Sequence, residues 1–360
     1  MTGSINTLSS PLVGEAATLL SLSAPGERRQ MDRSATVVAR STVPLFPTLP
    51  HRGGGSPSGT LKIHALSLSG SVMPDRLAAG AARLSELAAT VTSPDAATAA
   101  WRYFAGTDDE RLAALNASLK SDADIVMFTR GGYGLSRLLH RIDWHAVAVS
   151  GKLFCGFSDI TAFNLAALAE ANYVTFSGPM LASDFAQTDD LAARDFTEAN
   201  FFGLLSSQRY TYPECVSDVA SPAQTINGTL WGTNLAMIAN LVGTPHMPKI
   251  DDGILVLEDV AEAPYRIERM FWQLKHAGIL DKQRAIIVAE FSDCDPTNGM
   301  RYPYSMVEAL ETLREIAPCP ILTGFPFGHI PAKVTLPIGA PASVAIDGTR
   351  YVLSVRDYLR

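Results

Sequence analysis

Apolar runs and amphipathic stretches alternate along the chain from residue 61 onward. Residues 61–70 (LKIHALSLSG) predict a strand, and a helix with one apolar face follows from Pro74. Thr107 and Glu110 have the spacing of a capping box that opens a second helix. Residues 125–128 form a continuous apolar strand that runs into a glycine-rich turn. Buried strands separated by helices predict a parallel sheet with helices over its faces.

The second half of the chain repeats this alternation. Its apolar pattern predicts a strand at 253–260, a helix at 264–277, a strand at 285–291, a helix at 304–316 and a strand at 321–325. The tail at 342–355 (ASVAIDGTRYVLSV) predicts a β-hairpin around Asp347-Gly348.

Two stretches lack such periodicity. Residues 1–60 are rich in Ser, Thr, Pro and Ala without any Lys, which predicts a disordered extension ending in a linker; a targeting peptide or a start codon placed too far upstream would explain the same composition. Residues 206–226 show no clear period and predict an interdomain linker. The predicted fold class is therefore α/β, with a Rossmann-like parallel-sheet domain at 61–205 and a second, mixed α/β domain at 227–360.

The stretch 152–170 (KLFCGFSDITAFNLAALAE) combines a strand, a tight turn and a helix. Gly156 breaks the apolar run, and Ser158 lies on the turn. A serine at such a turn exposes its Oγ beside the free N–H groups of the next helix, which is the logic of a nucleophile elbow. A serine that only caps the helix is the structural alternative.

Three polar residues, Ser158, Glu258 and His329, stand at the ends of predicted strands. A serine needs a base to take its proton, an imidazole titrates in the required range, and a carboxylate fixes the imidazole tautomer. The residue types therefore allow a catalytic triad. The structural alternatives are an ion-paired or capping glutamate and a histidine that is merely solvated.

The glycine-rich turn at 130–134 (RGGYG) should share a sheet edge with Ser158, since the carboxyl ends of parallel strands hold the ligand. A dinucleotide phosphate loop is the alternative, but the third glycine of that motif is missing. Glycines at this place allow the backbone to approach a small ligand and to aim an N–H at it.

Composition and charge argue against several classes of binding partner. The formal net charge of −7 gives no basic surface for nucleic acid, and no apolar run reaches the roughly 18 residues of a membrane span. The four cysteines are scattered without C-x-x-C spacing, which is typical of unpaired thiols in a reducing compartment. The histidines form no H-x-H or H-E-x-x-H motif, so no metal is expected.

Taken together and in order, the motifs resemble those of the LD-carboxypeptidase family, the muramoyltetrapeptide carboxypeptidases. The resemblance covers about residues 61–351. Its motifs are AGTDDERL at 105–112, RGGYGLSRLL at 130–139, GFSDITA at 156–162, GP at 178–179, GTLWGTNLAMIANLVGTP at 228–245, ILVLEDVAEAPYRIERMFWQL at 254–274 and GFPFGH at 324–329.

The resemblance implies a catalytic role for each residue of the candidate triad. Ser158 matches the family's nucleophile in the G-x-S-D motif, Glu258 matches its carboxylate in the L-E-D motif, and His329 matches its histidine in the F-G-H motif. The family's site lies in the groove between an N-terminal and a C-terminal domain, and its members are commonly homodimers.

The resemblance also implies an oxyanion hole made of the backbone N–H of Asp159 and one from Gly131 or Gly132. Arg130 is a candidate to hold the terminal carboxylate of the substrate, with a structural ion pair as the alternative. Thr233 departs from the family pattern, which usually has a glycine there.

The implied activity is serine-type removal of the terminal D-alanine from murein tetrapeptide in cytoplasmic peptidoglycan recycling, without metal or cofactor. A hydrolase of peptidyl or aminoacyl nucleotides, resembling the microcin self-immunity proteins, is the alternative. A non-catalytic peptide-binding protein is a second alternative.

Overall fold

A computed structural model describes residues 60–87, 89–295 and 303–359. The predicted extension at 1–60 lies outside the described residues, apart from Thr60. The structure shows the expected two-domain α/β fold, with one sheet in each domain. All described residues belong to one compact unit. Within them, no helix combines the length and the apolar character that crossing a membrane requires.

Twelve strands form the two sheets of the described chain. They are β1 (Leu61–Leu66), β2 (Ala89–Thr92), β3 (Ile125–Phe128), β4 (Leu153–Cys155), β5 (Thr175–Ser177), β6 (Arg209–Thr211), β7 (Cys215–Asn234), β8 (Gly253–Val260), β9 (Gln283–Ser292), β10 (Ile321–Leu322), β11 (Leu336–Ile338) and β12 (Pro341–Arg356).

Eight α-helices within the described residues cover these sheets. They are α1 (Pro74–Glu86), α2 (Asp108–Lys120), α3 (Trp144–Ser150), α4 (Thr161–Ala171), α5 (Leu191–Leu205), α6 (Leu235–Leu241), α7 (Pro264–His276) and α8 (Met306–Ile316). The predicted capping box is confirmed: Glu110 N donates to Thr107 Oγ1 at 3.3 Å, and Thr107 N donates to Glu110 Oε2 at 2.7 Å. These bonds satisfy N–H groups that the first turn of α2 would otherwise leave free.

The first sheet has the strand order β11-β5-β4-β3-β1-β2. Its strands from β5 to β2 are parallel, as the buried apolar runs predict. The edge strand β11 comes from near the end of the chain and pairs antiparallel with β5. A strand from the C-terminal half therefore completes the sheet that carries Ser158.

The second sheet is mixed, with the order β10-β9-β8-β7-β12-β6. Strands β10, β9, β8 and β7 are parallel, and β12 is antiparallel to both of its neighbours. Helix α4 of the first domain packs against β7 and α6 of the second. This packing brings the carboxyl ends of the strands of both sheets to one site.

Two expectations about local structure are wrong. Residues 206–226, expected to be irregular, contain β6 and the first half of the long strand β7. The expected hairpin at Asp347-Gly348 is instead the middle of β12, which pairs with β7 on both sides of it. Gly348 has a φ of +61° at a register shift, so the Asp-Gly pair lies at a β-bulge rather than at a chain reversal. The position of the domain boundary stays a prediction.

Candidate active site

Ser158 lies on a strained turn between β4 and α4. Phe157 before it is extended at a φ of −134°, whereas Ser158 has a φ of +65°. Left-handed backbone is uncommon outside glycine, and a serine held in it between strand and helix has the geometry of a nucleophile elbow. Phe157 is the N-cap of the short 3₁₀ turn Ser158–Ile160, and Ile160 is the N-cap of α4. Neither helix start has a side-chain capping hydrogen bond. Ser158 is therefore not a helix cap.

The imidazole of His329 joins Ser158 to Glu258. His329 Nε2 lies 3.0 Å from Ser158 Oγ, and His329 Nδ1 lies 2.9 Å from Glu258 Oε2. The serine comes from the first sheet, whereas the glutamate on β8 and the histidine on the loop after β10 come from the C-terminal half. The structure thus brings together three residues that are up to 171 positions apart in the sequence.

Burial governs the electrostatics around Glu258. Its side chain is fully buried, and Oε1 has no hydrogen-bond partner among the described residues. A buried carboxylate is costly unless it is paired, so its bond to His329 is the contact that stabilises its charge. Burial also raises the pKa of the neighbouring Asp259 to about 6; the hydrogen bond from Val260 N opposes this shift and the charge of Glu258 adds to it.

Packing and backbone bonds hold His329 in place. The Phe157 ring lies 4.9 Å from the imidazole, centroid to centroid. Ser292 Oγ donates to the carbonyl oxygen of His329 at 3.1 Å. Gly328 has a φ of +127°, and a Cβ at this position would lie 3.0 Å from Glu290 O. The loop therefore needs glycine just before the histidine.

The glycine turn after β3 packs directly against the elbow. A Cβ on Gly131 would lie 2.8 Å from Ser158 Cβ and 2.9 Å from its Oγ. The same Cβ would lie 3.4 Å from the backbone nitrogen of Asp159. Gly132 follows with a φ of +108°. Only glycine at 131 permits this close approach, which places the backbone of the turn beside both the hydroxyl and the N–H of the elbow.

The side chain of Asp159 ties the elbow to its surroundings, which the sequence did not predict. Its Oδ2 accepts from Ser69 Oγ at 2.6 Å and from Leu135 N at 3.0 Å. Burial raises the pKa of Asp159, and these two bonds and the charge of Arg111 oppose that shift. Asp159 therefore connects the elbow to the segment after β1 and to the residue that follows the glycine turn.

Arg111, which sequence reasoning also missed, is a buried cation beneath the glycine turn. Its Nη1 donates to the carbonyl oxygens of Leu68 and Gly134, the latter at 3.1 Å, and its Nη2 donates to Asp108 Oδ1 at 2.6 Å. The sequence feature that could have revealed Arg111 is its position on the apolar face of α2, one residue after the capping box. Its hydrogen bonds hold the end of the glycine turn, at Gly134, in place.

Arg130 lies at the start of the glycine turn and is partly buried. Its Nη1 donates to the carbonyl oxygen of Ser71 at 2.9 Å. It forms no salt bridge with a carboxylate of the described residues, so the ion-pair alternative does not hold in this part of the chain. Its guanidinium lies beside Gly70, where a Cβ would be 3.4 Å from Arg130 Cζ.

Thr233 has a φ of +128°, a conformation that favours glycine. Its hydroxyl lies 2.6 Å from that of Thr161 on α4 and accepts from Ser177 Oγ at 3.2 Å. Asn234 N donates to Thr161 Oγ1 at 3.3 Å. These bonds offset the strain of a β-branched residue in this conformation.

The described residues contain no group of three or more His, Cys, Asp and Glu side chains that could hold a metal ion. All four cysteines have free thiols. The Ser158, His329 and Glu258 side chains are arranged for acid–base and nucleophilic chemistry.

Comparison with known proteins assigns the family. The N-terminal domain of the LD-carboxypeptidase family matches residues 63–178, and its C-terminal domain matches residues 227–344. This chain belongs to the LD-carboxypeptidase family. Similarity to a probable murein peptide carboxypeptidase of Bacillus subtilis extends over 245 residues at 35% identity, covering 67% of this chain and 75% of the relative.

Solved structures of the family share the fold. The muramoyltetrapeptide carboxypeptidase of Oxalobacter formigenes has a TM-score of 0.75 at 37% identity, covering 83% of this chain and all of the other. MccF in complex with glutamyl sulfamoyl guanosine has a TM-score of 0.76 at 25% identity, covering 88% of this chain and all of the other. Membership of this family makes the chain a carboxypeptidase. The proteins similar to it also include MccF, a microcin C7 self-immunity protein.

Proposed function

We propose that this LD-carboxypeptidase removes the terminal D-alanine from murein tetrapeptide by serine catalysis, leaving the tripeptide. The observation that carries the proposal is the hydrogen-bonded series Ser158, His329 and Glu258, with the serine on a strained elbow. The name of the Bacillus subtilis relative and that of the Oxalobacter formigenes structure support a murein peptide as substrate.

Acylation begins with the hydroxyl of Ser158. His329 Nε2 takes the proton while Oγ attacks the carbonyl between the L-centre of the diaminoacid and D-alanine. Glu258 holds the Nδ1–H of the imidazole and stabilises its positive charge, and it does so strongly because it is buried. Protonated His329 then gives its proton to the departing D-alanine amine, and the acyl group stays on the serine.

The backbone beside Ser158 stabilises the tetrahedral oxyanion. The N–H of Asp159 and one N–H of the Gly131-Gly132 turn are the proposed donors, supported by the close approach of the turn to the elbow. Arg130, which forms no salt bridge with a described carboxylate, holds the terminal carboxylate of the substrate. A water activated by His329 finally hydrolyses the acyl-enzyme.

Hydrolysis of aminoacyl or peptidyl nucleotides is the second candidate function. It is favoured by the similarity to the microcin C7 self-immunity protein MccF of Escherichia coli, which is 29% identical over 273 residues, covering 68% of this chain and 78% of the relative. Both reactions use the same triad and differ in the leaving group of the substrate.

A paired assay tests the proposal. The purified chain is incubated with murein tetrapeptide and, separately, with an aminoacyl sulfamoyl adenosine, and the products are identified by mass spectrometry. Loss of a single D-alanine from the tetrapeptide is the expected result, with little cleavage of the nucleotide. Cleavage of the nucleotide alone would reject the murein substrate in favour of the second function.

From the family resemblance we also propose a homodimer that works in the cytoplasm in peptidoglycan recycling. Light scattering on the purified chain tests the dimer, and cell fractionation tests the compartment. A mass of about one chain would reject the dimer without affecting the proposed chemistry.

A further inference from the structure

The histidine of the triad lies on a closed loop that comes from the C-terminal half of the chain. Val334 N donates to Pro326 O at 3.0 Å and closes this loop around His329. Glu290 N donates to Phe327 O at 3.0 Å, so the first side of the loop is bound to β9 of the second sheet. The nucleophile belongs to the first sheet. The distance between the imidazole and the serine therefore depends on how the loop is attached to the first domain.

The last residues of the loop make this attachment. Thr197 Oγ1 on α5 donates to Pro331 O at 3.2 Å and accepts from Lys333 N at 3.1 Å. The ammonium of Lys333 donates to Asp184 Oδ1, in the segment that follows β5. The loop is therefore bound to the first domain by its backbone and by one charged side chain.

Asp184 is itself fixed within the first domain. Its Oδ2 accepts from Met180 N at 2.8 Å and from Ser183 Oγ at 2.9 Å. In the same segment, Leu181 N donates to the carbonyl oxygen of Phe128, the last residue of β3, at 3.0 Å. The carboxylate therefore offers the ammonium a fixed position relative to the first sheet.

The ammonium of Lys333 also lies against the residue before the nucleophile. Its Nζ is 4.6 Å from the centroid of the Phe157 ring, and that ring centroid is 4.9 Å from the centroid of the His329 imidazole. A cation over an aromatic face is attracted by the ring, more strongly when both are removed from water. The ion pair, the ring and the catalytic base are thus in contact one after another.

Lys333 and Asp184 form a buried ion pair, with side chains only 4% and 6% exposed. Removing two charges from water is costly, and replacing such a pair with apolar side chains of similar size is often neutral or stabilising. Stability alone is therefore a weak reason for an ion pair here. Its position, four residues after His329 and against the residue before Ser158, indicates a role in the site.

We propose that Lys333 is a positioning residue for His329. Its bond to Asp184 fixes the loop to the domain of Ser158, and its contact with Phe157 holds the ring on which the imidazole packs. Together they maintain the 3.0 Å hydrogen bond between His329 Nε2 and Ser158 Oγ. This inference rests on the serine catalysis of the proposed function and adds a residue that acts through the base rather than on the substrate.

The test removes the ion pair without leaving a buried charge. Lys333→Met alone would leave the carboxylate unpaired, so it is combined with Asp184→Asn. For this double variant, kcat for D-alanine release should fall on the order of 100-fold, as for a catalytic group displaced by about 1 Å. KM should stay within about twofold, because neither buried side chain contacts the substrate. A purely structural role would shift the urea midpoint and leave kcat of the folded protein unchanged, which would overturn the proposal.

Two single variants complete the comparison. Lys333→Arg keeps a positive charge that can pair with the carboxylate and lie on the ring, so it should retain much more activity than the double variant. Lys152→Met is the matched control, because Lys152 is also a buried lysine, but it precedes β4 and donates to the carbonyl oxygens of Ser121 and Ala123. Its kcat should equal that of the wild type. A loss of kcat in Lys152→Met as large as in the double variant would also overturn the proposal.

A covalent probe separates failure of this proposal from failure of the proposed function. In the reaction with a fluorophosphonate, Ser158 Oγ bonds to phosphorus, fluoride leaves and the serine proton passes to His329, without any murein peptide. The double variant should react on the order of 100-fold more slowly than the wild type. A wild type that reacts with the probe but releases no D-alanine would reject the murein substrate alone. Equal rates for the wild type and the folded double variant would reject the positioning role alone, and a wild type that does not react would reject both.

Discussion

The hydroxyl of Thr233 lies 2.6 Å from that of Thr161, and this contact joins strand β7 of the second sheet to helix α4, which follows the nucleophile elbow. Thr161 begins the helix that follows the Ser158 elbow, whereas Thr233 is the last residue but one of β7, and the residue after it, Asn234, is in register with Glu258 on β8. The contact therefore links the backbone around the nucleophile to β7, the neighbour of the strand β8 that carries the carboxylate of the triad.

Substitutions of Thr233 separate hydrogen bonding from backbone strain. Thr233→Val keeps the strained backbone and removes the hydroxyl, so buried partners lose a bond and the free energy of unfolding should fall by about 2 kcal/mol. Thr233→Gly also removes the hydroxyl but relieves strain of about 1 kcal/mol or more, so its loss should be smaller. Urea denaturation measures both values. A glycine variant less stable than the valine variant would show that strain is unimportant at this position.

Gly131→Ala should reduce activity more than stability. Its Cβ would lie 2.9 Å from Ser158 Oγ, so the serine or the glycine turn must shift. Displacement of a catalytic group by about 1 Å costs on the order of 100-fold in rate. The measurement is kcat for D-alanine release, with Gly203→Ala on α5 as the control. Activity of Gly131→Ala within twofold of the wild type would contradict the close approach.

Glu258→Gln should lower kcat by about 10³-fold to 10⁴-fold, because the amide does not stabilise the imidazolium and favours the wrong tautomer. Glu290→Gln is the matched control, since Glu290 is an exposed residue on the neighbouring strand β9. Steady-state kinetics on murein tetrapeptide compare the two variants. Equal turnover by both would remove Glu258 from the mechanism.

His64 should make folding sensitive to mild acid. Burial lowers the pKa of His64, and the charge of Lys152 lowers it further. The folded state therefore favours the neutral ring, so the stability contribution is complete above the unfolded pKa of about 6.5 and is lost as the pH falls towards the folded pKa. Both ring nitrogens lack partners among the described residues, so His64→Leu removes the titrating group without breaking a bond found there.

Urea midpoints at pH 7.5 and pH 5.5 test the role of His64. The wild type should lose more stability between these values than His64→Leu does. Asp259, whose raised pKa acts in the opposite direction, is present in both proteins and cancels in the comparison. The same loss in both proteins would show that His64 does not titrate in this range.

The structural features that could be predicted from the sequence are those that depend on local patterns of residues. Capping at Thr107, the buried strand at Ile125–Phe128 and the turn at Ser158 each follow from a few neighbouring residues, and the structure contains all of them. Predicting that Ser158, Glu258 and His329 meet required the family resemblance as well, because no local pattern specifies contacts between residues so distant in the sequence.

Features that depend on distant partners were missed. The Asp347-Gly348 pair has the composition of a hairpin turn, but its pairing with the long strand β7 makes it a bulge. Strand β11 joins the first sheet from the far end of the chain, and the three-residue segment gives no signal of its partner β5. The bonds of Asp159 and the buried position of Arg111 are likewise set by tertiary packing.

The most direct test of the proposed chemistry is D-alanine release from murein tetrapeptide by the wild type and by Ser158→Ala, with folding of the variant checked by circular dichroism. The wild type should release one D-alanine per peptide, and kcat of the folded variant should be lower by roughly 10⁴-fold or more. Near-normal turnover by Ser158→Ala would contradict the assignment of Ser158 as the nucleophile.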